Sequence, residues 1–404
     1  MNTIQVDKID KATSRALLLL SLAYFIQSTT YLSIIGAFEF ISAEWQLSPA
    51  QTATLVSTFG ATFAIAAPVL QVLVGHLPRR TQILVGLSVM AFGTISFVVA
   101  PNYPSLFSTR IVAGLGAALI SPVLSALGST LVPPSQQGRA LAIVVMGVSI
   151  ATVVGVPASA WIAGYIGPRW LFVLIASLTT VTAGLIACLI RDRSTGGRVS
   201  PRQFMKLIQQ SSTLSGLSVS LFTVAGIFAT YTMIAPIMHD YYGASPGMVS
   251  AGLLIYGVAG LVGNLFVRRA SAVCSAYALI AVSVLVLIAI FAALLLLPRS
   301  LGILLAALIL WPFVCDIVWP SQQRRMVELE PGFRGIVLAF NASFMFTGVA
   351  LGSFLGGISY PIFGFSSVLA LSILLLSLAF GALNYSERSR RRQMAQAEPL
   401  ASAC

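Results

Sequence analysis

Eleven acidic side chains could carry charge or protons in this chain of 404 residues. Asp7, Asp10, Asp192, Glu328, Glu330, Glu387 and Glu398 fall in polar segments, and Glu44 in a short polar connection. Glu39, Asp240 and Asp316 remain, each beside or within an apolar stretch. Arg110 is the one cation clearly inside such a stretch. A charge taken out of water is costly, so these groups are expected to pair, to exchange protons or to line a wet cavity. The chemistry that fits is reversible proton binding coupled to a charge pair. Bond-making catalysis has little support. His76 and His239 are the only histidines, no His/Glu metal cluster is visible, and no nucleophile stands at a spacing that pairs it with a base. The phosphate-cradling pattern GxxxxGK[ST] is missing, so no ATP-driven step is expected, and neither is a cofactor.

The medium that must hold these groups follows from composition. The chain is 57% hydrophobic and 8% charged, with a mean hydropathy of +0.94. A soluble domain carries about 25% charged residues. Most of this surface must therefore face lipid. A span needs roughly 20 apolar residues to cross about 30 Å of hydrocarbon. Twelve such runs occur, near 16–42, 51–75, 81–100, 105–132, 140–165, 169–190, 212–238, 248–267, 271–297, 301–320, 335–358 and 362–384. Helices are required, because lipid offers the backbone no hydrogen-bond partners and nothing alternates like barrel strands. The expected fold is all-α, with twelve transmembrane helices in two six-helix bundles. Residues 1–190 would form the first bundle, 191–210 a cytoplasmic linker, 211–385 the second bundle and 386–404 a cytoplasmic tail.

Orientation comes from the cations. With the N-terminus inside, all of the 23 Lys and Arg except Arg110, Arg169 and Arg299 fall in inner segments. Five sit in the central loop (Arg191, Arg193, Arg198, Arg202, Lys206) against Asp192. Both termini are thus expected in the cytoplasm. The net charge of +12 reports topology and not nucleic-acid binding. The four cysteines form no disulfide framework and no CxxC metal pattern.

Several residues along the spans stand out. Gln27-Ser-Thr-Thr-Tyr31 lies near mid-depth in span 1, where polar groups either glue helices together or face a cavity. Glu39 is either a solvated rim acid or a cavity residue. Arg110 either snorkels to the outer surface or faces protein. Asp316 is either a rim acid near Arg324 and Arg325 or a coupling acid deeper in. Asp240, next to His239 at the outer end of span 7, is expected to be solvated. By helical rise Glu39 lies about 9 Å inside Trp45, and Arg110 about 9 Å inside Pro104. Similar depth suggests a proton-sensitive pair of Glu39 with Arg110, with Asp316 as second candidate. Gln27, Tyr31, Tyr231, Trp311 and Asn341 offer polar or aromatic surface for a solute. Gly147, Ala151, Gly155, Ser159 and Ala163 recur every four residues in span 5, ahead of or around Pro157, and Gly348, Gly352 and Gly356 do so in span 11. Such ridges let helix backbones approach closely. Gly155 and Gly352 are expected where the two halves cross.

In this order the features resemble the major facilitator superfamily, specifically its twelve-span drug:proton antiporter branch, the arabinose-efflux-permease-like group. Arg110…Gly114-x-Gly116 is similar to the span-4 motif. Gly147…Gly155-Val-Pro157…Gly164 is similar to the span-5 antiporter motif, with Val156 inserted where that motif has Gly and Pro adjacent. Gly167-Pro-Arg-Trp170 and Pro331-Gly-Phe-Arg334…Phe340-Asn-Ala-Ser343 resemble the entries to spans 6 and 11. The loop holding Arg79 and Arg80 departs from the pattern, since Pro78 stands where an acid would precede the arginines; Glu328 or Glu330 are candidate partners for an inner gate. The resemblance implies a central site lined by spans 1, 4, 7 and 10 and two halves that rock about it.

The function expected from all this is proton-coupled efflux of small organic solutes, with uptake or facilitated exchange of a metabolite as the alternative on the same fold. The partners expected are the solute, protons and the bilayer, with no nucleic acid and no metal, in a monomer. The place expected is the cell membrane, the inner one if the source is Gram-negative.

Overall fold

The computed structural model describes residues 10–133, 136–191, 194–195, 209–330 and 333–401. Most of the 191–210 linker therefore lies outside the described residues. Among the described residues there are twelve helices long and apolar enough to cross a membrane and no β-strand beyond one isolated bridge, Pro78 to Thr195. They are α1 (Lys11–Gly36), α2 (Pro49–Val74), α3 (Arg79–Val99), α4 (Tyr103–Thr130), α5 (Gln137–Tyr165), α6 (Pro168–Leu189), α7 (Ser211–Tyr242), α8 (Pro246–Val273), α9 (Ala276–Leu296), α10 (Leu301–Leu329), α11 (Ile336–Phe363) and α12 (Phe365–Arg392).

The short polar connections start these helices. Ser48 and Asn102 close capping boxes with Gln51 and Ser105 at the heads of α2 and α4. Ser245, Ser275 and Ser300 each accept the third backbone N–H of α8, α9 and α10. In hydrocarbon those orphan N–H groups have no other partner. Outward faces carry exposed Leu, Val, Ile and Phe, such as Ile65, Phe92, Val181 and Val282. Such a surface is stable only against lipid.

Three spans are not plain α-helices. Beyond Gly36, α1 is interrupted at Ala37 and continues as a short helix, Phe38–Glu44. In α7 the break falls at Thr232–Met233, followed by Ile234–Tyr242. In α5, Ala151–Gly155 form a π-helical turn directly before Val156 and Pro157.

Helices α1–α6 pack mainly among themselves, with α3 between α4 and α6 and α1 against α5 and α6. Helices α7–α12 do likewise, with α7 between α11 and α12 and α10 between α8 and α9. The two sets meet along α2–α11, the most extensive helix contact in the chain, and along α5–α8. The short helix Phe38–Glu44 also touches Ile234–Tyr242.

Glycines let both seams close. A Cβ on Gly60 of α2 would lie 3.1 Å from the Phe346 carbonyl oxygen of α11, and one on Gly357 of α11 would meet Ala53 of α2. Ser250 of α8 donates to the Pro157 carbonyl of α5 at 3.0 Å. These contacts run from mid-length to the end of the bundle away from the chain termini. Here the structure departs from expectation. The ridges pack within each set: Gly147 meets Ser21 and Gly155 meets Thr29, both on α1, while Gly348, Gly352 and Gly356 meet Leu221, Ala225 and Ala229 on α7. A small-residue face reveals that some backbone comes close, but not whose.

Candidate functional site

Aromatic rings from both sets meet at mid-depth. Tyr31 of α1 stacks on Phe59 of α2 with ring centroids 5.8 Å apart. It also faces Phe228 of α7 at 6.3 Å and Phe346 of α11 at 5.6 Å, both in the other set. The row continues from Phe228 to Tyr231 at 5.7 Å, from Tyr231 to Tyr256 of α8 at 4.7 Å, and to Trp311 of α10 at 5.3 Å from Tyr256. Centroid spacings of 4.5–7 Å are those at which ring quadrupoles attract.

A charge stands at each end of the row. In the first set Arg110 of α4 is buried, with its guanidinium 4.8 Å from the Phe59 ring centroid. Its Nε donates to the Leu55 carbonyl at 3.2 Å and one Nη to the Thr30 carbonyl at 3.0 Å, while the other Nη is buried without a partner. In the second set Asp316 of α10 is a little more than one turn beyond Trp311. Its carboxylate lies against α8 where Gly260 leaves room, since a Cβ there would be 2.9 Å from Oδ2. Among the described residues, no Lys, Arg or His nitrogen comes within 4.0 Å of it.

Not all of the expected site is gathered here. Tyr31, Tyr231 and Trp311 share the row. Gln27 lies one turn from Tyr31 on α1, buried, with Oε1 unpartnered. The indole Nε1 of Trp311 is likewise buried and unpartnered. Asn341 stands apart, accepting from Ser220 of α7 at 2.5 Å beside Gln322 of α10, which donates to Ser220 at 3.0 Å and to the Gly216 carbonyl at 2.7 Å. This is a buried polar knot joining α7, α10 and α11.

Glu39 and Arg110 are not paired. Arg110 reaches the carbonyl of Thr30, nine residues before Glu39 and about 13 Å along the helix. Equal counts of residues from two interfaces placed them at equal depth, but a long side chain points away from its own Cα level. Glu39 stands instead beside His239, with Oε1 4.0 Å from Nδ1. Arg79 and Arg80 bond elsewhere: Arg79 meets Ser194 of the linker through backbone and side chain, and Arg80 donates to the Ala187 carbonyl of α6. Glu328 pairs with Arg324 at 2.7 Å and Glu330 accepts from Thr213, so neither acid meets those arginines.

Phe59, Phe228, Tyr256, Ser220 and Gln322 belong to these clusters and were not singled out as contacts from the sequence. Their signal was weak, since aromatic and hydroxyl residues at helical spacing are ordinary in apolar spans.

The sequence model of the Major Facilitator Superfamily matches residues 20–323. The uncharacterized MFS-type transporter YbcL of Bacillus subtilis (strain 168) is 27% identical over 84% of this chain and 87% of its own. A chloramphenicol efflux pump of Mycobacterium tuberculosis is 28% identical over 62% of this chain and 61% of its own. Among solved structures, that of a D-xylose-proton symporter superposes with a TM-score of 0.74 at 14% identity, covering 92% of this chain and 96% of the other.

Proposed function

The chain belongs to the Major Facilitator Superfamily and is a multi-pass membrane transporter, not an enzyme; on that premise we propose that it exports small organic solutes in exchange for protons. The observation that carries this reading is the aromatic row that crosses from Tyr31 to Trp311 with Arg110 at one end and Asp316 at the other. Ring faces with few fixed hydrogen-bonding groups suit planar or amphipathic solutes of varied shape. Gln27 and the Trp311 indole add one free acceptor and one free donor. A half-buried carboxylate with no cation within 4.0 Å among the described residues needs either a proton or the positive group of a solute, and taking them in turn is exchange.

In this reading residues 1–190 and 211–385 move as two bodies about the row. The end away from the termini is shut here, held by the α2–α11 and α5–α8 seams. The cations concentrated in the segments at the other end favour a cytoplasmic side for both termini. The protein would act as a monomer in the cell membrane. The chloramphenicol pump among the relatives favours outward movement over uptake.

The test uses inverted and right-side-out membrane vesicles with labelled chloramphenicol and a panel of aromatic amines. Uptake into inverted vesicles that requires an acidic interior supports the reading. Proton-driven uptake confined to right-side-out vesicles reverses its direction.

A further inference from the structure

At the shut end, groups from both sets share one imidazole. Glu39 comes from the short helix Phe38–Glu44, His239 and Asp240 from the last turns of α7, and Tyr360 from α11. His239 Nδ1 is 3.0 Å from Asp240 Oδ1 and 4.0 Å from Glu39 Oε1. Tyr360 donates to the other Asp240 oxygen at 2.7 Å. Glu39 Oε1 is buried and has no hydrogen-bond partner. The surrounding charges are committed elsewhere: Glu44 pairs with Arg169 at 2.6 Å, and Arg299 lies over the Tyr241 ring at 4.7 Å, near Tyr242.

We infer that Glu39, His239 and Asp240 form a proton-binding site split between the two sets of helices, and that filling it holds this end shut. A neutral imidazole has one N–H, and here that hydrogen serves Asp240. Glu39 is then left facing a second carboxylate across the seam, and the cluster carries two negative charges. One further proton, taken up on Nε2 of His239, reduces that to one. It sets an imidazolium between the two acids. Like charges at this range repel and opposite ones attract, so the proton turns a repulsive contact into a cohesive one. Binding and closure are linked and must favour each other equally. His239 is exposed, so its proton comes from the water at this end and not from the central row. The inference rests on the rocking motion proposed above, and it assigns to that motion a control separate from Asp316.

The experiment needs no solute. Spin labels go on Pro101→Cys, between α3 and α4, and Gly247→Cys, at the head of α8, in a background without the native cysteines. Electron–electron distance measurements in liposomes then follow the shut fraction between pH 8 and pH 5. The shut-to-open ratio is expected to rise about tenfold as pH falls, one proton contributing at most about tenfold per pH unit. His239→Gln should flatten that response to under about twofold. Glu39→Gln should leave the end shut even at pH 8. Thermal unfolding of both variants checks that they fold. A parent with no pH response, or an unchanged response in His239→Gln, overturns the inference. Because no transport is read, a pH-dependent closure that persists without proton-driven efflux defeats the proposed function and leaves this site standing. Efflux with pH-insensitive closure does the reverse.

Discussion

Gly257 of α8 lies against α5 so closely that a Cβ there would stand 2.6 Å from the Thr152 carbonyl oxygen and equally near the Val153 Cα. The contact joins the two sets of helices at the π-helical turn. Gly257→Leu is expected to lower transport at least tenfold while the protein still inserts and melts normally, since added bulk parts a seam that must close. Gly352→Leu should behave differently. Its Cβ would strike the Ala225 backbone within one set, so the variant should lose several degrees of thermal stability and much of its yield. Normal transport by Gly257→Leu would show that the α5–α8 contact is not part of the cycle.

Arg110 ties α4 to α1 and α2 through the carbonyls of Thr30 and Leu55. Arg110→Ala removes two charge-assisted hydrogen bonds to helix carbonyls, each worth about 1.5–3 kcal/mol. Arg110→Lys should recover little, because one ammonium cannot span both carbonyls as a planar guanidinium does. Unfolding temperatures in detergent should therefore fall in both variants; a lysine variant as stable as wild type contradicts this.

Asp316→Asn keeps the shape of the group beside Gly260 and removes its charge. Solute counterflow between loaded vesicles should continue, while dependence of net transport on a pH gradient falls at least tenfold. Full pH-gradient dependence in this variant would move proton coupling to another residue.

The aromatic row and the polar knot should separate kinetically. Tyr231→Ala removes the ring that touches Phe228, Tyr256 and Trp311, and should raise KM for an aromatic solute about tenfold, equivalent to about 1.4 kcal/mol. Asn341→Ala should leave KM unchanged and reduce stability, since it strips Ser220 of its acceptor. The reverse pattern would place the solute in the knot.

Orientation has a direct check. A membrane-impermeant maleimide added to intact cells should label Gly247→Cys and not Arg392→Cys, in a background without native cysteines. Labelling of Arg392→Cys from outside would invert the topology.

Much of the fold was legible because a bilayer imposes its own thickness on the chain. Each of the twelve spans shows as a run of about twenty apolar residues, and caps such as Ser48 and Asn102 mark several starts. The breaks at Ala37 and Thr232–Met233 left no such trace. Lipid tolerates apolar residues equally well on either side of an interruption, so the break is set by packing against neighbours. The site was legible by type and not by partner. Tyr31, Tyr231 and Trp311 stood out as polar-aromatic residues at mid-depth and do meet. The Glu39–Arg110 pairing failed because residue counting gives height along a helix but not the direction a side chain takes. For the same reason Glu39 meeting His239 across the seam could not be seen from either span alone.

The turn at Ala151–Gly155 bears on chain length. Each residue of an α-helix advances the chain by about 100° around the axis. A π turn takes in one residue more than an α turn, so an added residue is looped out locally instead of rotating everything beyond it. Val156, which stands between Gly155 and Pro157, adjoins that turn. Across the turn, Gly147 before it and Val156 after it both face α1, at Ser21 and Gly36. Shortening α5 by one residue at this turn would return it to a regular helix. The same deletion elsewhere in the span would swing the face that packs on α1 by about 100°, toward lipid.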